Sequence, residues 1–89
     1  MTDINHCFRK NEEIMCKEFT DRFYLIDSYR RVLMELNETA FEVWGLIDGK
    51  HAASQITEAI AEKFDVDKDT AGKDVGGFLK ELVKREIIS

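Results

Sequence analysis

The sequence contains no proline. Helix starts must therefore be read from capping side chains, and turns from glycine, aspartate and serine. Cysteine is scarce: only Cys7 and Cys16 are present, nine residues apart, which is not a zinc-ligand spacing. A disulfide between them can be drawn on paper. The lack of a secretory signal instead favours free thiols in a reducing cytosol. Long apolar runs are missing, and nothing approaches the length of a membrane-spanning helix. A soluble, cytoplasmic protein is expected. Excess positive charge is missing as well. Lys and Arg number 13 against 18 Asp and Glu, for a net charge of −5. That balance argues against nucleic-acid and membrane partners, because both need a basic face. Residues 1–37 carry 6 basic and 7 acidic groups, and residues 38–89 carry 7 and 11, so the acidity sits in the second half.

What the chain does have is material for a core. Hydrophobic residues make up 44%, with six Phe, two Tyr and one Trp, which is enough to fold. The length of 89 residues fits one domain, 1–89, of modest stability.

The stretch from Leu36 to Gly49 organises the rest. Asn37 is a good N-cap, and Glu38 places negative charge on the first turn. Ala40, Val43, Trp44 and Ile47 then follow at helical spacing, and Gly49 can take a left-handed helix-ending conformation. A first helix is expected over 38–48. Before it, Met1 to Lys10 reads as a loose lead-in, with Phe8 tucking onto the core. Three short strands follow, over 14–19, 23–27 and 31–36. In the third, Val32, Met34 and Leu36 share one face, and Arg31, Leu33 and Glu35 the other. Short connections imply an antiparallel meander with the third strand at an edge.

A second helix is expected over 53–63, its apolar side formed by Ile56, Ala59, Ile60 and Phe64. Asp67 caps a third, over 68–85, with a stripe of Ala71, Val75, Phe78, Leu79, Leu82 and Val83. Ile87 and Ile88 close the core. The plan is α+β: a three-stranded antiparallel sheet followed by three helices. Gly76-Gly77 lies in mid-helix, where two glycines cost ~1–2 kcal/mol relative to alanines. Such a pair suits close backbone approach, or it simply softens the helix.

No catalytic set emerges. His6 and Cys7 are neighbours, His51 is remote, and Ser28, Ser54 and Ser89 lack a suggested base and acid. No glycine-rich phosphate loop follows a strand. The carboxylates scatter over helix surfaces, and Trp44 lies on the apolar stripe. No enzyme activity, metal or cofactor is expected. Surfaces remain. An edge strand with Val32, Leu33, Met34 and Leu36 is only partly blunted by Arg31 and Glu35. Another chain can add a strand there, or the N-terminal arm or a second copy can cover it. A monomer or weak homodimer is expected.

The motif Leu36-Asn37-x-Thr39-Ala40-x-x-Val43-Trp44-x-x-Ile47-Asp48-Gly49 resembles the signature of the PqqD-like family. Arg9-Lys10-Asn11, Ile56, Asp74-Val75-x-x-Phe78-Leu79-x-x-Leu82 and Ile87-Ile88 are similar to its flanks. The resemblance covers about residues 8–88, which is also the expected ordered part. It implies a winged helix-turn-helix-like fold without catalytic residues. It also implies a peptide chaperone, the recognition element of a pathway that modifies ribosomally made peptides. The leader of the precursor peptide would lie along the third strand, against the third helix. The domain would then present it to a radical S-adenosylmethionine enzyme, in the namesake pathway for pyrroloquinoline quinone. Carried onto this sequence, the peptide-binding positions are Arg31, Val32, Leu33, Met34, Glu35 and Leu36 of the strand. From the helix they are Lys73, Gly76, Gly77, Lys80, Val83 and Lys84. Ala52 stands where the family usually has Thr, and Gly76-Gly77 has no place in its pattern. Whether the product is pyrroloquinoline quinone or that of another peptide pathway stays open.

Two other readings compete. A winged-helix DNA-binding regulator needs a basic recognition helix. The second helix offers Glu58, Glu62 and Lys63, and the third sets Lys73, Lys80, Lys84 and Arg85 against Asp74, Glu81 and Glu86. A scaffold for a partner enzyme is the third reading.

Overall fold

The computed structural model describes residues 5–89, so the first four residues of the expected lead-in lie outside it. Strands β1 (Ile14–Phe19), β2 (Arg22–Asp27) and β3 (Val32–Leu36) form one antiparallel sheet in the order β1-β2-β3. Helices α1 (Glu38–Leu46), α2 (Ala53–Lys63) and α3 (Lys68–Lys84) follow. This is the expected α+β plan. Arg31 lies just outside β3, and Arg22 joins β2. α1 ends at Leu46 rather than Asp48, because the Ile47 N–H turns back to the Trp44 carbonyl at 3.2 Å.

The sheet is built from two tight hairpins. Thr20 and Asp21 join β1 to β2 with φ of 54° and 62°, the signs that a two-residue hairpin loop requires. Between β2 and β3, Asp27 Oδ1 accepts from the Tyr29 and Arg31 N–H groups, each at 2.9 Å. One face of the sheet meets the helices. Cys16, Leu25 and Met34 lie in register there, as do Phe23 and Leu36. Phe23 stacks on Phe41 of α1, with ring centroids 3.8 Å apart.

The expected alternation in β3 does not hold. Leu25 pairs with Met34, but the next residue, Ile26, pairs with Val32. Leu33 is therefore an extra residue, a β-bulge. Because side chains alternate with a period of two, one extra residue changes the face of everything beyond it. Met34 and Leu36 stay on the core side. Val32 is instead 63% exposed and joins Tyr24 and Ile26 on the outer face, while Leu33 is half-buried against the core.

Two of the three helices carry side-chain caps. Asn37 Oδ1 accepts from the Ala40 N–H at 2.8 Å, and Asp67 Oδ1 from the Thr70 N–H at 2.7 Å. The Thr70 bond holds the Asp67 carboxyl below the usual carboxylate range. Ala52 has no side-chain acceptor to offer. Gln55 Oε1 accepts from the Ala52 N–H at 2.8 Å, and the orphan Ala53 N–H donates to the His6 carbonyl at 3.3 Å.

That last bond belongs to an N-terminal arm which, from His6 onward, is pinned rather than loose. Cys7 bridges to Ala52 and Lys10 to Ile88. Arg9 and Ser89 exchange backbone bonds at 2.9 and 3.0 Å, and the Asn11 N–H donates to the Ile87 carbonyl at 2.9 Å. Gly49 takes a φ of +79°, with its N–H on the Phe8 carbonyl at 2.9 Å. A Cβ there would stand 3.3 Å from Arg9 Cγ, so glycine lets the arm pass. Phe8, Trp44, Ile56, Val75, Leu79, Leu82, Ile87 and Ile88 are all buried in the core. Lys10 lies over the Trp44 ring, 4.7 Å from its centroid. Cys7 and Cys16 are free, and burial pushes the Cys16 thiol up.

Candidate functional site

β2 is paired on both sides, which leaves β1 and β3 as the edges of the sheet. The arm pairs with residues 87–89 instead of β3. Among the described residues, no strand covers the outer edge of β3. The end of α3 reaches back to this strand. There Arg85 Nη1 donates to the Leu33 carbonyl at 2.9 Å. Near the exit of β3, Asp74 and Phe78 line a hollow of about 260 Å³ with Asn37, Thr39, Ala40 and Val43. Asp74, Phe78, Glu81 and Arg85 recur at intervals of four, three and four, so they form one row along α3. The row reaches both ends of β3: Asp74 and Phe78 share a hollow with Asn37, just past its last residue, and Arg85 holds Leu33 near its start.

Arg85 ties this row to β3. Its Nε also donates to Glu81 Oε1 at 2.7 Å. The guanidinium holds the Glu81 carboxyl below its usual range. Arg85 was not among the residues expected from the sequence.

The expected residues fall in several places. Leu33 and Met34 are half-buried at the edge, and Leu36 is buried, so only its backbone can serve a partner. Glu35 is exposed and paired with Arg22 at 3.1 Å. Arg31 is exposed just before the strand. Gly76 and Lys80 line a separate groove of about 460 Å³ between α2 and α3, with Ala53, Thr57 and Gly72. Val83 lines another hollow, with Asn11 and Ile88. Lys73, Gly77 and Lys84 are exposed. The structure thus gathers the strand residues on one edge and spreads the helix residues over other faces of α3.

The glycine pair meets nothing. A Cβ at Gly76 or at Gly77 would have no neighbour within 4 Å. Packing within the chain does not require glycine there. Gly76→Ala with Gly77→Ala is expected to add about 1–2 kcal/mol of stability through helix propensity. Thermal unfolding followed by circular dichroism should show a rise of about 4–8 °C for each kcal/mol. A lower melting temperature would mean that the helix needs its glycines.

No His, Cys, Asp or Glu cluster among the described residues has the makings of a metal site. No described helix is long and apolar enough to cross a membrane.

A family model described as coenzyme PQQ synthesis protein D matches residues 22–88. Among solved structures, that of TbiB1 in complex with the TbiA(beta) leader peptide is similar, with a TM-score of 0.75. It shares 20% sequence identity and covers 91% of this chain and 94% of that one, a likeness of fold. No curated protein matches. The family match takes in β2, β3, all three helices and the closing Ile87-Ile88, and on that span the chain belongs to the PqqD family.

Proposed function

We propose that this protein binds the leader of a ribosomally made precursor peptide as an added strand on β3 and presents it to a modifying enzyme. The observation that carries this reading is the open β3 edge, which the arm leaves uncovered by pairing with residues 87–89. An open edge offers backbone donors and acceptors in a row, each bond worth about 0.5–1.5 kcal/mol net. The leader peptide bound to TbiB1, a protein of the same fold, supports it. Family membership supports an adaptor role beside a radical S-adenosylmethionine enzyme, in pyrroloquinoline quinone synthesis or a related peptide pathway. The DNA-binding reading lacks such support. α2 presents Glu58 and Glu62, and its Lys63 is paired with Glu42 at 2.9 Å.

The test is a titration of the isotope-labelled domain with the leader of the precursor encoded beside it, read by NMR. Shifts are expected on Val32–Leu36 and on the Asp74, Phe78, Glu81 and Arg85 row. Shifts confined to the groove between α2 and α3 would move the peptide off the edge. Absence of shifts, with and without the modifying enzyme, would end the reading.

A further inference from the structure

Leu33 is the point where β3 departs from a regular ladder. As the bulged residue it is left without a partner on β2. Its carbonyl is taken by Arg85, so the end of α3 is tied to the edge strand. A guanidinium carries five N–H donors in a rigid planar fork. Here Nε serves Glu81 and one Nη1 donor serves Leu33. The side chain is 46% exposed, so its remaining donors can be reached from outside. Arg30 and Arg31 lead into β3, and Lys84 precedes Arg85. None of these three has an ion-pair partner among the described residues. Against them stand Asp27, Glu81 and Glu86, so what distinguishes the start of the open edge is the Arg85 guanidinium, fixed beside Leu33 with donors to spare.

Building on the peptide-docking reading, we infer that Arg85 is the specificity residue of this edge: it ends the added ladder at Leu33 and receives a carboxylate from the docked leader. The Arg85 guanidinium takes one of the two acceptor sites of the Leu33 carbonyl and stands beside it, so an incoming strand meets that side chain at this residue. Regular pairing is left to Met34–Leu36, beyond the bulge. The free donors on Nη1 and Nη2 then face the docked strand at one position. Arginine can grip a carboxylate there with two parallel bonds, and lysine cannot. Glu81 already holds the guanidinium in place, so little rotamer freedom remains to be lost on binding. The leader class is one with an Asp or Glu at a fixed place relative to its paired residues.

Calorimetric titration of the whole protein tests this, using the leader of the precursor encoded beside it. A second set of peptides changes each Asp or Glu of that leader, one at a time, to Asn or Gln. Arg85→Met and Arg85→Lys are each expected to weaken binding about tenfold, since the group is partly exposed. Loss in Arg85→Lys separates the planar fork from general attraction, and it serves alone if Arg85→Met does not fold. One amide peptide should weaken wild-type binding by the same factor and leave Arg85→Met unaffected, the mark of a coupled pair. Wild-type binding with no loss in either variant overturns the inference and leaves the docking reading standing. So do amide losses that simply add to the Arg85 loss. A wild-type protein that binds no leader overturns both.

Discussion

Leu33→Asp should lower leader affinity by about a hundredfold, equivalent to about 3 kcal/mol. Leu33 sits half-buried at the open edge, packed against the core. A strand laid on β3 would cover the new carboxylate and strip it of water. The carboxylate would also compete for Arg85, which already bonds the backbone of the same residue. Some stability goes too, about 1–2 kcal/mol, because a partly buried Leu is lost. Circular dichroism should still show a folded domain, and the titration should show the loss. Leu33→Ala removes the apolar contact without adding charge and should lose less. Unchanged affinity in a folded Leu33→Asp protein would place the peptide elsewhere.

Leu79→Ala acts on the opposite side of the same machinery. Leu79 is 0% exposed at the centre of α3, among Ile56, Val75 and Leu82 in the core. Truncation leaves a cavity and costs about 2–5 kcal/mol. Natural domains hold about 0.05–0.15 kcal/mol per residue, so this is a large part of what a chain of 89 residues has. The urea midpoint should fall by about 1–3 M. Leader affinity of the folded fraction should barely change, in contrast to Leu33→Asp. A midpoint shift below about 0.3 M would mean that α3 does not carry the core.

The elements were legible because their ends are marked by chemistry. Asn37 and Asp67 do the capping that their type and position suggested, and the apolar stripes of α2 and α3 face the core except at Val83, which is 42% exposed. Phe8, Trp44, Ile87 and Ile88 went to the core as expected. The bulge was not legible. Val32, Leu33, Met34 and Leu36 are all apolar, so either face could have been the inner one, and no glycine marks the irregularity. It is set by pairing with Leu25 and Ile26 on another strand.

On α3 the sequence pointed to residues beside the stripe but could not say which flank meets the sheet. Gly76 and Lys80 turned to α2, and Asp74, Phe78 and Arg85 to the other side. The Glu81 and Arg85 spacing of four was a readable signal for an ion pair. Its reach across to Leu33, 52 residues away, was not. The pinning of the lead-in is hidden for a similar reason. Its partners, Ala52 and residues 87–89, lie far along the chain.

Those arm contacts also fix an order of assembly. The two hairpins and the α2–α3 pair close over short stretches of sequence and can form early. The exchange between Arg9 and Ser89 joins positions nearly the whole sequence apart, so its loop is the most expensive to close. It should form last and, by the same reasoning, come undone first. Only that final step commits the arm to residues 87–89, so until it is complete the arm competes with any partner for the β3 edge.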